Sequence, residues 1–89
     1  EHDLDELTEI KISDNEFKLS ARLEIDYLNH KYGLSFPEND EYETLGGMIV
    51  HYLEDIPEKN SNVLIEKFIL TVLSVTDTKI EEVKVSIKE

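Results

Sequence analysis

EYETLGGMIVHYLEDIP, residues 41–57, decides how the rest of the chain is read. Leu45, Met48, Ile49, Tyr52 and Leu53 stand at i, i+3, i+4, i+7 and i+8, the apolar stripe of a helix lying on a core. Thr44 precedes the stripe as an N-cap whose hydroxyl can accept from an N–H of the first turn. Pro57 biases Ile56 away from helical geometry, so the helix ends near Glu54 or Asp55. Gly46 and Gly47 break the pattern, since a glycine inside a helix costs about 1 kcal/mol relative to alanine. A doublet without side chains at a helix start lets something approach the backbone closely, and two approaches are open. One is another stretch of the same chain packed against the first turn. The other is an anion or phosphate cradled by the outward N–H groups, against which stand the neighbouring Glu41 and Glu43 and the lack of a lysine after the glycines.

Working outward, SFPENDEYE (35–43) is a loop. Before it, Ile25, Leu28 and Tyr32 define a helix over 24–32, with Glu24 and Asp26 at its positive end, His30 and Lys31 at its negative end, and Gly33 as its left-handed stop. EIKI (9–12) and EFKLSA (16–21) alternate around the turn formers Asp14 and Asn15, a hairpin expected to turn Ile10, Ile12, Phe17 and Leu19 inward. Downstream, VLIE (63–66) and FILTVLSV (68–75) flank a tight Glu66-Lys67 link. Both faces of FILTVLSV are apolar, which predicts a central strand covered on both sides. IEEVKVSIK (80–88) alternates cleanly, as a strand with one wet face does. The expected fold is α+β: a mostly antiparallel sheet of five strands with two helices on one face, in the order ββααβββ. Residues 1–8 read as an acidic linker and 9–89 as the domain.

An 89-residue chain is one domain with one core. Its net charge of −12, from 21 acids and 9 bases, disfavours nucleic acid and anionic lipid surfaces as partners. No apolar run reaches the roughly 18 residues of a membrane span, and no cysteine is present for disulfides or thiolate metal sites. The start EHD, with no methionine or signal sequence, reads as a domain cut from a longer protein. No serine lies in a nucleophile elbow and no histidine–acid pair has diagnostic spacing, so catalysis is not expected. Glu38, Asp40, Glu41 and Glu43 offer hard oxygen ligands, but not at the spacing of a calcium loop, and a solvated loop is the plainer reading. His2, His30 and His51 are scattered, as surface histidines are. Tyr32 and Tyr52 read as core residues, with a stacking platform for a flavin or adenine ring as the rival.

EYETLGGMIVHYLEDIP closely resembles the signature of the CorC/HlyC transporter-associated domain: an acid, Tyr42, an acid, Thr44, Leu45, Gly46, Gly47, an apolar helix, then Ile56 and Pro57. ARLEIDYLNHKYGLSFPEND and the strands FILTVLSV and KIEEVKV are similar to further parts of that family, while the turns lack its frequent Asp-Gly. The resemblance implies a non-catalytic, regulatory C-terminal domain, on the cytoplasmic side of hemolysin-like or magnesium/cobalt efflux proteins. Its partners would be a preceding pair of CBS modules, a membrane domain and a second copy, with no nucleic acid and no membrane insertion of its own. The family's fold is similar to part of a flavin-binding domain. No cofactor is expected of a non-catalytic domain, yet that likeness keeps FAD or an adenine nucleotide as the alternative, at Thr44, Gly46, Gly47 and Tyr52.

Overall fold

Alternation and helical periodicity are realised as seven elements. The computed structural model describes residues 7–88; the stretch 1–6 of the expected linker lies outside the described residues. The elements are β1 (Glu9–Ser13), β2 (Glu16–Ser20), α1 (Ile25–Tyr32), α2 (Leu45–Leu53), β3 (Asn62–Ile65), β4 (Phe68–Val75) and β5 (Ile80–Ile87). The strands form one antiparallel sheet in the order β1-β2-β5-β4-β3, so the last strand of the chain occupies its centre. The α+β class and the order of the elements are those expected from the sequence.

The core lies between the helices and one face of the sheet. Phe17, Leu19, Val83, Val85, Phe68, Leu70 and Val72 supply it from the strands, and Leu28, Leu45, Met48 and Ile49 from the helices. Phe36, in the loop between the helices, is buried with its ring 4.3 Å from that of Phe68. Gly33 ends α1 at φ 66, a left-handed conformation that costs glycine nothing. Leu34 behind it is buried.

Three expectations are corrected. Ile10 and Ile12 do not face inward: they are 50% and 51% exposed. Ile10 pairs with Lys18 and Lys11 with Phe17, so the face β1 shares with the core carries Glu9 and Lys11. A strand slipped by one residue turns every side chain over, and here the choice is made by α1. The Glu9 carboxylate accepts from Lys31 Nζ at 2.7 Å and from the hydroxyls of Tyr27 and Tyr32, each at 2.8 Å. Second, β4 is covered on one side only. Phe68, Leu70 and Val72 are buried, whereas Ile69 and Leu73 are partly exposed, because both helices pack on the same face. Third, the last turn of α2 overhangs the core. Its buried residues are Leu45, Gly46, Met48 and Ile49, while Tyr52 and Leu53 are 48% and 40% exposed.

Among the described residues, Leu7 and Thr8 of the expected linker already touch the domain. Leu7 lies against the core. Thr8 accepts the Ser20 N–H at its carbonyl and donates its hydroxyl to Glu82, both at 2.6 Å.

Candidate functional site

The glycine doublet sits at a junction of three segments. Tyr42 is buried, with its hydroxyl donating to the Pro37 carbonyl, and it fixes the loop leading into α2. Burial also pushes its phenol above the ordinary value of 10, with Tyr52 adding to the shift. Thr44 is the N-cap, accepting the Gly47 N–H at 3.1 Å. The Leu45 N–H donates to Leu23 O and the Gly46 N–H to Ala21 O, both at 2.9 Å, and the Met48 N–H returns to Thr44 O. Every N–H of the first turn therefore has a partner within the chain, which leaves an anion no free donor there. A Cβ on Gly46 would lie 2.9 Å from Ala21 Cβ and 3.3 Å from Ala21 O. Glycine is what lets the helix start rest on the segment that follows β2.

A shallow cleft of about 440 Å³ opens beside this junction. Thr44, Gly46, Gly47 and Ile56 line it, together with Arg22 and Lys79. Pro57 is half-buried nearby in sequence, in the wall of a separate cleft with Asp55 and Asp77. Tyr52 is not brought to the Thr44–Gly47 cleft. It lies exposed beside His51, their rings 5.7 Å apart.

Glu38, Asp40 and Glu43 line a second cleft, of about 380 Å³, with Glu24 and Asp26 from the start of α1. Glu41 does not join them; its carboxylate lies 3.6 Å from His51 Nδ1. Glu38 accepts from the Asn29 amide at 3.0 Å. Among the described residues no three such side chains converge as a metal-binding group.

The third feature is the sheet face opposite the helices. Cross-strand pairing sets out two rows on it. One runs Ile10, Lys18, Lys84, Thr71 and Asn62; the other runs from Ile12 beside Glu16 through Ser86 and Ile69 to Leu64. Leu64 is 62% exposed and is the most exposed large apolar side chain among the described residues. Glu16 and Lys84 lie 3.9 Å apart in the middle. Reading β4 as covered on both sides hid this face. The signal that could have shown it is the polar alternation of β5 and β2, whose neighbours Lys84, Ser86, Lys18 and Glu16 require a wet face continuous with that of β4. The Glu9 cluster was also missed. Its signal is the i, i+4, i+5 set of Tyr27, Lys31 and Tyr32, polar tips on one side of α1. Burial alone would push the Glu9 carboxyl up, but the hydrogen bonds from Lys31, Tyr32 and Tyr27 prevail and hold it below its ordinary value.

Residues 10–89 match the family model described as the transporter associated domain, CorC_HlyC. A segment of 52 residues is 33% identical to the polyamine export protein of Haemophilus influenzae, covering 58% of this chain and 12% of that protein. The chain thus spans about an eighth of the length of that relative. Among solved structures, a conserved protein of unknown function from Haemophilus influenzae superposes with a TM-score of 0.80 at 25% identity, covering 90% of this chain and 98% of that one. The transporter associated domain of a CBS domain protein from Porphyromonas gingivalis superposes at 0.79 with 22% identity, covering 93% and 100%.

Proposed function

The chain belongs to the CorC_HlyC transporter associated domain family, and from that membership we propose that it is a non-catalytic accessory domain of a CBS-containing ion-transport protein. It lies on the cytoplasmic side and modulates transport by contact. The observation that carries this reading is the uncovered sheet face, on which Leu64, Ile69, Ile10 and Ile12 present apolar surface that the domain's own helices do not use. Exposed apolar patches of this kind mark contact surfaces. Shifting a transporter between two arrangements requires only a few kcal/mol of differential contact energy, which such a face can supply without any chemistry. The cargo is cationic in this reading. Magnesium and cobalt fit the family resemblance, and the Haemophilus influenzae relative carries the name of a polyamine exporter. The CBS pair and the membrane domain supply the setting in this reading; the transporter associated domain from Porphyromonas gingivalis is named as part of a CBS domain protein. No helix of the described residues is long and apolar enough to cross a membrane.

The domain works without a bound cofactor in this reading, because the first-turn N–H groups of α2 are already bonded within the chain. FAD or ATP added to the purified chain should leave its melting temperature unchanged. The main test is made in the full-length transporter. Leu64→Lys together with Ile12→Lys should change cation export while leaving the amount of protein and the fold of the domain intact. Export unaffected by that pair overturns the reading.

A further inference from the structure

The cleft beside the glycine doublet differs in charge from the other two described above. It is lined by Arg22, the chain's one arginine, and by Lys79, with no Asp or Glu in its lining. The others carry acids: Glu24, Asp26, Glu38, Asp40 and Glu43 in one, Asp55, Glu58 and Asp77 in the other. In a chain of 21 acids and 9 bases, a cleft with two bases and no acid is an exception. None of the ion pairs among the described residues uses either base. Val50, Ile56 and Ile80 add an apolar wall. We propose that this cleft docks an acidic segment of a partner polypeptide, through two carboxylates and one apolar side chain. The inference stands apart from the sheet-face contact, because α2 and its first turn lie on the opposite side of the sheet.

Both bases spring from backbone that is already fixed. The Arg22 N–H donates to Ser20 Oγ at 3.1 Å. The Thr76 hydroxyl donates to the Lys79 carbonyl and accepts the Lys79 N–H, each at 3.2 Å. The Ala21 N–H donates to Glu81 O at 2.9 Å, which ties the two segments side by side. Anchors held in place lose less freedom on binding. The chemistry of the occupant follows from the lining. A basic segment would meet like charge here and be drawn to the acidic clefts instead. A free phosphate finds no backbone donor, since the first-turn N–H groups of α2 are bonded within the chain, and it leaves the apolar wall unused. A chain segment with carboxylates around one apolar side chain uses both features. The arginine fork takes one carboxylate in bidentate fashion, and the lysine meets the other as a point charge. The net charge of −12 opposes such a partner at long range. At physiological salt the Debye length is about 8 Å, so the adjacent bases outweigh the distant acids once the segment is docked.

The test is fluorescence anisotropy of a labelled peptide, Asp-Leu-Asp-Glu between Gly-Ser flanks, titrated with the chain at about 0.15 M salt. The peptide should bind. Arg22→Glu and Lys79→Glu, both at exposed positions, should each weaken it roughly tenfold or more. Lys67→Glu makes the same charge change beyond the far end of β4 and should leave the affinity within about twofold. Serine in place of the peptide's leucine, or amides in place of its acids, should each cost a comparable factor. No binding at millimolar chain overturns the proposal. So does an amide peptide that binds as well as the acidic one, or a Lys67→Glu chain weakened as much as Arg22→Glu. Binding that emerges only after residues 1–6 are removed would mean that the chain's own acidic start fills the cleft, and it too overturns the partner reading.

Discussion

Gly46 carries the tightest constraint in the chain. Its backbone conformation is ordinary for a helix, so the need for glycine is steric: the Ala21 side chain and carbonyl stand where a Cβ would go, at 2.9 Å and 3.3 Å. Gly47 is less confined, its nearest neighbours being Thr44 Oγ1 at 3.2 Å and Tyr42 Cβ at 3.3 Å. Overpacking of a close-fitted contact costs about 1–3 kcal/mol, whereas alanine gains up to about 1 kcal/mol of helix propensity over glycine. Gly46→Ala should therefore lower the unfolding free energy by about 1–2 kcal/mol net, and Gly47→Ala by clearly less; urea denaturation of the two variants measures the difference. An equal loss at both positions would refute this account. The position of the doublet at the helix start was legible in the sequence, because a cap threonine and an apolar stripe frame it. Its neighbour was not legible, since Ala21 is 25 positions away and nothing local announces it.

At the scale of elements, the attachment of β1 differs in kind from that of the other strands. Its isoleucines face away from the core, and Glu9 ties it to α1 through Lys31, Tyr27 and Tyr32. Those bonds hold the native carboxyl below the ordinary glutamate value of 4.5, despite the burial that would raise it. A depressed acid contributes stability that is present above its unfolded value and lost as pH falls through its native one. Glu9→Gln should therefore be less stable than the wild type at neutral pH, and the gap should close as pH drops below about 4.5. Chemical denaturation of both proteins over that range checks it; a gap independent of pH would mean that Glu9 acts only as a neutral acceptor. Alternation alone located β1 correctly but assigned its faces wrongly. EIKI offers an apolar and a polar face of equal length, and the polar one is drawn inward by partners 18 to 23 residues away. For β2 and β5 the alternation settled the inward face, and the sequence reading of them was right there. The outer face of β4 misled because apolar composition says that a face prefers cover, not that its own chain provides it.

At the scale of the whole molecule, charge and topology set the behaviour. A domain of net charge −12 works against its own repulsion when compact. Salt screens that repulsion, with a Debye length of about 10 Å at 0.1 M and 3 Å at 1 M. Raising sodium chloride from about 0.05 M to 0.5 M should raise the melting temperature of the dilute chain; a fall would mean that specific ion pairs outweigh the general field. The sheet order β1-β2-β5-β4-β3 has a further outcome. Synthesis on a ribosome delivers the N-terminal hairpin β1–β2 and later β3–β4, but these have no shared neighbour until Ile80–Ile87 emerges. Until then the inner borders of β2 and β4 are open templates for stray pairing. The nascent chain must wait for β5, and a premature stop before it would cost the keystone of the sheet and leave two separate ribbons for chaperones or proteases.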